Sequence, residues 1–540
     1  MKVVQRVKNS EQKTVGFILE NGDFINNFRT LKNLKDITNL SRRADNGFRA
    51  NRELPVISYK SLLQKEYNKI IKDNPFKRDI QRVFEYWKRY KAVQGHKVLF
   101  VNGCRQIGKT TEIQKFAYSN YDNVIYIDIS KDRLGFKNLV LQRGPIRMNR
   151  VLEKYCNIAN LPEYKDNRST VLIIDEIQNS KDIFNDISSF NKELQCDIII
   201  TGSYLGFITK EDSFFIPGSF YYYVTMSSLS FSEFCGIFNL DLLLKEIDLF
   251  GGSEKADYDK LWELYEIYRR IGGYPSVVMQ YMYTKDFDEC YEELGNLLNI
   301  FKQESLKFLN GPIMIEAFDF VFKEIVQEML REKRGGWADY IRFLTDKVKE
   351  SYEKPLNRKQ VLEAVDWIKR SGLLGVCDLA NNGKLDSLVG NRRFYFVDCG
   401  LMAYLGMDSG VSINSLEGIL TETFVYSELY KLHIIKVIRS PNEDTSGKVK
   451  EARLKKPRIS RPAFAVLDKY ELDFMENDIY GKIYGIEVKT SKSSTKSLDE
   501  FMKRNLIDIG VRAEKTFGGR VGNLLTIPIY TVGCRFPYMK

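Results

Sequence analysis

Val98-Leu99-Phe100-Val101-Asn102-Gly103-Cys104-Arg105-Gln106-Ile107-Gly108-Lys109-Thr110-Thr111 decides how the rest of this chain is read. An apolar β-type run, Val98–Val101, passes into Gly103, four residues, and Gly108-Lys109-Thr110. An amphipathic stretch from Thr111 to Ser119 follows. That is the strand–GxxxxGK[ST]–helix order of a phosphate-binding loop. The glycines allow the backbone to curl so that amides from Gly103 through Arg105, Gln106, Ile107 and Gly108 to Lys109, Thr110 and Thr111 surround a polyphosphate at a helix N-terminus. Lys109 can reach the β- and γ-phosphates, and the Thr110 hydroxyl can ligate Mg²⁺. The expected substrate is therefore ATP with Mg²⁺.

Working outward, 540 residues are enough for several domains, each with its own core. A hydrophobic share of 44% and a charged share of 28% are ordinary for globular protein. The net charge of +11 permits a polyanionic partner without requiring one. Eight scattered cysteines without a CxxC pair indicate neither a zinc site nor a disulfide framework, as expected of a cytoplasmic protein. With only two histidines, His96 and His433, a Ser-His-Asp or histidine–metal mechanism has little material. No apolar run approaches the ~20 residues that span a bilayer, and no signal-peptide core opens the chain, so no membrane is expected as a partner.

Residues 1–80 read as an N-terminal extension, with a short hairpin over Thr14–Phe28 and positive charge at Arg42, Arg43, Arg49 and Arg52. Val83, Phe84, Trp87 and Tyr90 then recur at helical spacing. Beyond the loop, Val124–Ile129 is a buried-strand run. Thr170-Val-Leu-Ile-Ile-Asp175-Glu176-Ile-Gln178 describes a central parallel strand with two carboxylates at its C-terminal edge, where open α/β sheets bind ligands. Asp175 is placed to hold Mg²⁺ and Glu176 to polarise the water that attacks the γ-phosphate. A third strand, Asp197–Ile200, ends in Thr201-Gly202-Ser203, where Thr201 or Ser203 can stand between phosphate and water. Three buried strands with a catalytic Glu after the Asp specify the additional-strand branch of P-loop NTPases, an α/β fold with a parallel sheet.

Further motifs follow in order: Leu229-Ser230-Phe231-Ser232-Glu233-Phe234 and Gly272-Gly273-Tyr274-Pro275. With the loop, Asp-Glu-Ile-Gln and Thr-Gly-Ser, they resemble a large bacterial and archaeal family of AAA-type ATPases ending in a domain of unknown function. The resemblance runs from about residue 95 to about 515. It implies an AAA core over 81–235, and residues 236–312, alternating acidic and aromatic-aliphatic positions such as Leu261, Tyr265 and Tyr268, read as a helical lid. Members of that family usually carry an arginine in a Gly-Arg pair before the last core strand; here the pair is Gly218-Ser219. If that arginine contacts the γ-phosphate, hydrolysis here is either slow or uses Arg269 or Arg270 instead.

Residues 313–385 are expected to form a winged-helix domain. Asn357 is a plausible N-cap to a helix Arg358–Arg370, with Val361, Leu362, Val365 and Ile368 on one face, and Phe394–Val397 supplies a later strand. Arg358, Lys359, Lys369 and Arg370 can meet phosphates, although winged helices also serve as packing modules. Over 386–540 a helix bearing Glu422 precedes Glu471-Leu472-Asp473-Phe474, a turn at Asn477–Gly481, and Ile483–Lys489. Alternation on both sides of that turn predicts two antiparallel strands, bringing Asp473 and Glu487 to the same end of a sheet. Two such carboxylates can hold Mg²⁺ or Mn²⁺ as a second metal site, with Glu422 as an additional ligand. Lys489 shares a face with Glu487 and can orient or deprotonate a water. This order resembles the PD-(D/E)XK nuclease superfamily. Lys448–Arg461, with seven basic residues and one acidic, would add phosphate attraction.

The sequence therefore predicts a cytoplasmic ATPase acting on DNA, with a metal-dependent nuclease domain. RNA as substrate, and a homo-oligomer or protein partner, stay open. The rival is a nucleotide-dependent switch whose terminal domain binds nucleic acid or protein without cutting.

Overall fold

The structure is a computed structural model that describes residues 3–8, 14–19, 24–25, 56–94, 97–132, 135–159, 161–203, 221–305, 313–330, 346, 358–435, 462–478, 481–490 and 495–534. Several expected features lie outside the described residues: the four N-terminal arginines, most of the Thr14–Phe28 turn, Gly218-Ser219, Asn357 and the basic run Lys448–Arg461. The chain divides into two compact units. One comprises Met1–Pro75, Ile80–Asn102 and Gly108–Thr225; the other comprises Phe76–Asp79, Gly103–Ile107 and Met226–Lys540.

In the first unit, β1 (Val3–Lys8), β2 (Thr14–Leu19), β3 (Phe24–Ile25) and β4 (Val56–Ser58) make a small sheet in the order β3-β2-β1-β4. The extension thus carries a sheet where only a hairpin was expected. The main sheet is built from β5 (Val98–Gly103), β6 (Asn123–Asp128), β7 (Thr170–Asp175), β8 (Asp197–Thr201) and β9 (Tyr221–Met226), in the order β6-β7-β8-β5-β9. The pairs β5–β8, β6–β7 and β7–β8 are parallel. β7 and β8 are buried along their whole length, as their unbroken apolar runs require of a strand covered on both faces. β8 lies between β5 and β7, so the ends of the loop strand and the acidic strand open at one sheet edge with the Thr201 strand between them. The helix Ile80–Gln94 buries Val83, Phe84 and Trp87 of the face its spacing predicts, and Tyr90 is half-buried.

In the second unit, helices Asp241–Glu246, Lys255–Ile271, Pro275–Thr284 and Phe287–Ser305 occupy the expected lid segment. Helix Arg358–Arg370 has the predicted bounds and buries Val361, Val365 and Ile368, but Leu362 is 41% exposed. Trp367 and Ala364 complete the buried stripe in its place, because 3.6 residues per turn carry position 362 off the 361–365–368 row. The predicted boundary between 385 and 386 falls inside a hairpin. β10 (Leu374–Ala380) pairs antiparallel with β11 (Leu388–Phe396), and β10 also pairs in parallel with β12 (Ala463–Leu467). Both hairpin strands therefore belong to an eight-stranded sheet with β13 (Tyr470–Asn477), β14 (Ile483–Lys489), β15 (Ile509–Glu514), β16 (Gly519–Val521) and β17 (Leu524–Pro528). Its order is β11-β10-β12-β13-β14-β15-β17-β16. Backbone ladder bonds decide membership here, and hydropathy does not display them. Helices Cys399–Asp408, Glu417–Ile435 and Lys496–Lys503 belong to the same unit.

Three motifs without an assigned role close on one another inside this unit. The Asp398 carboxylate accepts from the Ser228 hydroxyl at 2.7 Å, from the Gly273 amide at 2.9 Å and from the Gly400 amide at 3.0 Å. Gly272 is in the left-handed region (φ +71°), and a Cβ there would fall 1.9 Å from Asp398 Oδ1. A Cβ on Gly273 would fall 2.2 Å from the Leu229 carbonyl oxygen. Buried Lys431 donates to that same carbonyl at 2.9 Å and to the Tyr268 hydroxyl at 2.7 Å, and pairs with buried Glu428 at 3.3 Å.

Candidate functional site

The helix Lys109–Asn120 starts at Gly108, whose φ of +88° only glycine adopts without cost, and Gln106 is also left-handed at φ +63°. These two reversals make the curl that the glycine spacing predicts. In the first unit, Lys109 Nζ lies 3.1 Å from Ser203 Oγ, and both side chains are buried. Thr110 Oγ1 donates to Asp175 Oδ2 at 2.7 Å. Sheet register thus gathers Lys109, Thr110, Asp175 and Ser203 from three separate stretches. Of the two polar residues ending β8, Ser203 meets Lys109. The Thr201 hydroxyl is buried with no hydrogen-bond partner among the described residues. Thr111 continues the helix.

Glu176 follows Asp175 with a left-handed backbone (φ +52°), a conformation that a non-glycine residue holds only against strain. Its amide donates to Asp175 Oδ1 at 2.8 Å. Its carboxylate accepts from the Gln178 side-chain amide. Tyr126, on neighbouring β6, donates its hydroxyl to Asp175 Oδ2 at 2.8 Å. Burial first, and the Asp175 charge second, push that phenol far above its ordinary range, which keeps it a donor. Sequence reasoning missed Tyr126 and gave Gln178 no role. The only available signal for Tyr126 was a tyrosine inside an otherwise aliphatic strand.

A hydroxyl and a carboxylate bonded to each other beside a phosphate loop are the hard oxygen donors that Mg²⁺ takes, so this set fits the ion. Bound there, the ion would neutralise phosphate charge.

In the second unit, Arg105 pairs with Glu304 at 2.7 Å. Arg269 donates to Glu266 at 2.7 Å, and Arg270 lies 5.2 Å over the Phe287 ring. Arg370 is held by Asp366 at 2.5 Å, whereas Lys359 is largely exposed.

β13 and β14 pair antiparallel as predicted, with Phe474 opposite Ile486 next to Asp473 and Glu487. Among the described residues no group of three or more His, Cys, Asp or Glu side chains stands where it could hold a metal ion. Between Ala463 and Ala465 of β12 the partner strand advances from Met475 to Leu472, one residue more than a regular ladder allows. Such a bulge re-aims side chains locally. Asp473 accepts from the Val488 amide at 2.7 Å. Burial first and the Glu422 charge second push it up to about 7, while Lys489 and Arg393 pull it back. Glu422 accepts from the Tyr395 hydroxyl at 3.1 Å. Glu487 feels a different set. Burial raises it, while Lys489, the Ser497 hydroxyl and Arg512 lower it, and its Oε2 is buried with no hydrogen-bond partner among the described residues. Lys489 is the group both acids share. Asp473, Glu422 and the unpartnered Glu487 oxygen are donors suited to a divalent cation, but they do not make one closed set.

This loop, sheet and acid pair have the form of a P-loop nucleotide-binding domain. Residues 95–235 match the family model AAA_14, described as an AAA domain. An uncharacterized protein of Haemophilus influenzae is 25% identical over 194 residues, covering 33% of this chain. The chain spans 40% of that relative's length. Among solved structures, a Walker-type ATPase of Pyrococcus abyssi is similar at a TM-score of 0.37 and 14% identity, covering 61% of this chain and 95% of the other. The Aeropyrum pernix ORC2 protein in its ADPNP–ADP complexes gives 0.32 and 12%, covering 64% and 96%. The Thermotoga maritima RuvB Holliday junction branch migration motor gives 0.24 and 14%, covering 58% and 88%. Among the described residues no helix is long and apolar enough to cross a membrane.

Proposed function

We propose that this chain is an ATP-hydrolysing AAA-type ATPase that acts on DNA. The observation that carries the reading is the Lys109–Ser203 and Thr110–Asp175 pairing at the sheet edge. In this reading the loop amides and Lys109 grip the β- and γ-phosphates, and Thr110 and Asp175 hold Mg²⁺. Glu176 takes the proton of the attacking water, with Gln178 fixing its carboxylate beforehand. Ser203 keeps Lys109 extended along the sheet edge. Hydrolysis drives a conformational change in a cytoplasmic protein. Purified protein is expected to turn over ATP only with Mg²⁺ or Mn²⁺. Lys109→Ala is expected to abolish nucleotide binding. Glu176→Gln is expected to keep binding and lose at least about 100-fold in turnover, the scale of a general base. Turnover that persists in both variants removes this reading.

For the terminal domain, one reading is a PD-(D/E)XK-like fold that binds nucleic acid without cutting. Cleavage is the second reading, favoured by the unpartnered Glu487 oxygen and by the raised carboxyl of Asp473. A panel of single- and double-stranded DNA and RNA, incubated with Mg²⁺ or Mn²⁺, separates them. Cleavage lost in Glu487→Ala and Lys489→Ala, with ATP turnover intact, supports the second reading. No cleavage by the wild type supports the first.

A further inference from the structure

The Leu229–Phe234 motif has no part in phosphate chemistry, yet one of its residues holds a buried arginine upstream of the nucleotide loop. Glu233 closes a capping box with Ser230 on the helix Phe231–Ile237. It also accepts from the Arg78 Nε at 3.1 Å and from the Asp79 amide at 2.7 Å. The other two nitrogens of Arg78 are committed as well. Nη2 donates to the Ser227 carbonyl at 2.6 Å, and Nη1 donates to the carbonyl of Ile107 at 3.1 Å. Arg78 is buried, and these partners belong to one compact unit.

Ile107 lies inside the phosphate loop, and its carbonyl is joined through a planar trans peptide to the amide of Gly108. In such a unit C=O and N–H point in opposite directions. A donor that pins the carbonyl outward therefore aims the Gly108 amide inward, where a phosphate oxygen needs it. Gly108, which lacks a Cβ and sits at φ +88°, leaves this peptide free to flip unless something holds it. Resting on the nucleotide-binding reading, we propose that Arg78 is a positioning residue for nucleotide binding, a three-point clasp between Glu233, Ser227 and Ile107 that orients the Gly108 amide toward the phosphates. The fork matters as much as the charge. A lysine has a point charge and cannot span three acceptors in fixed directions.

The test is isothermal titration of Mg·ATP into full-length wild type, Lys109→Ala, Arg78→Gln, Arg78→Lys and Glu233→Gln. The Gly108 amide is followed in parallel by ¹⁵N-glycine labelling. Arg78→Gln and Arg78→Lys are each expected to weaken binding by about 10-fold or more, as loss of a charge-assisted bond does. Glu233→Gln, which keeps the shape of the cap, is expected to weaken it a few-fold. The Gly108 resonance of the Arg78 variants should be displaced before nucleotide is added and should lose its response to it. A merely structural role would lower the melting midpoint and leave that response intact, which would overturn the proposal. If Arg78→Gln does not fold, Arg78→Lys and Glu233→Gln decide, and affinities within two-fold of wild type in both overturn it. Wild-type affinity in Arg78→Lys, where Lys109→Ala abolishes binding, sinks the clasp alone. Absence of binding in the wild type sinks the nucleotide reading and the clasp with it.

Discussion

Asp175 Oδ2 receives two hydroxyls, Thr110 at 2.7 Å and Tyr126 at 2.8 Å, while Oδ1 receives the Glu176 amide. Thr110 is the donor that gives way when an ion needs the carboxylate; Tyr126, bonded from the neighbouring strand, keeps the group oriented. A hydrogen bond to a charged group is worth about 1.5–3 kcal/mol. Tyr126→Phe is therefore expected to raise the Mg²⁺ concentration for half-maximal turnover by about 10-fold, with turnover at saturating Mg²⁺ within about three-fold of wild type. A Mg²⁺ titration of ATP hydrolysis measures both, and an unchanged half-saturation point removes Tyr126 from the site. Lys109, Thr110, Asp175 and Glu176 were legible in the sequence because loop chemistry is local and its residues lie at fixed spacings. Tyr126 and Arg78 were not, since each acquires its partner only when β6 or residues 76–79 have been placed by folding.

The elements show the same division. Strands β5 to β8 and helix Arg358–Arg370 were readable from apolar runs and 3.6-residue spacing, which local side chains dictate. The hairpin β10–β11 was divided between two domains because its membership rests on ladder bonds to β12. The glycines Gly272 and Gly273 were readable as a motif, whereas their reason is tertiary. A methyl group on Gly273 would strike the backbone carbonyl of Leu229, which flexible side chains cannot relieve. Gly273→Ala is expected to destabilise the protein by at least about 3 kcal/mol, at the upper end of overpacking costs. A denaturant midpoint equal to wild type would contradict the described packing. In the terminal sheet, Asp473 carries a folded-state pKa raised from 3.8 to about 7. Its native form binds a proton more tightly than the unfolded chain does, so stability is fully present below about pH 4. It falls as pH rises toward 7 and levels off above that. Asp473→Asn is expected to flatten this slope and to be the more stable form at pH 8, by on the order of 1–3 kcal/mol. Urea midpoints from pH 5 to 8 check the sign; a wild type that gains stability over that window would contradict it.

At the scale of the whole molecule, charge is what bears on DNA as the partner. Lys and Arg number 82 against 71 Asp and Glu, a small excess spread over 540 residues, so bulk attraction to a polyanion is weak. Concentration matters more than the total. Lys448–Arg461 puts seven basic residues and one acidic residue into fourteen positions of the sequence. A run of that density releases counterions from each phosphate it neutralises, and the logarithm of affinity then falls with the logarithm of salt by about 0.9 for each contact on duplex DNA. If most of the run engages, the slope should be steeper than about −4. Replacing Lys455, Lys456 and Arg458 by glutamine removes up to three contacts and should make it shallower by about 2–3. Anisotropy titrations of a labelled duplex between low and moderate salt yield both slopes directly. A triple variant with the wild-type slope would place the phosphate contacts elsewhere, with exposed Lys359 on helix Arg358–Arg370 the next to replace. A wild-type slope near zero would argue against electrostatic attraction to DNA altogether, because no other force between a basic protein and a duplex disappears so regularly with added salt.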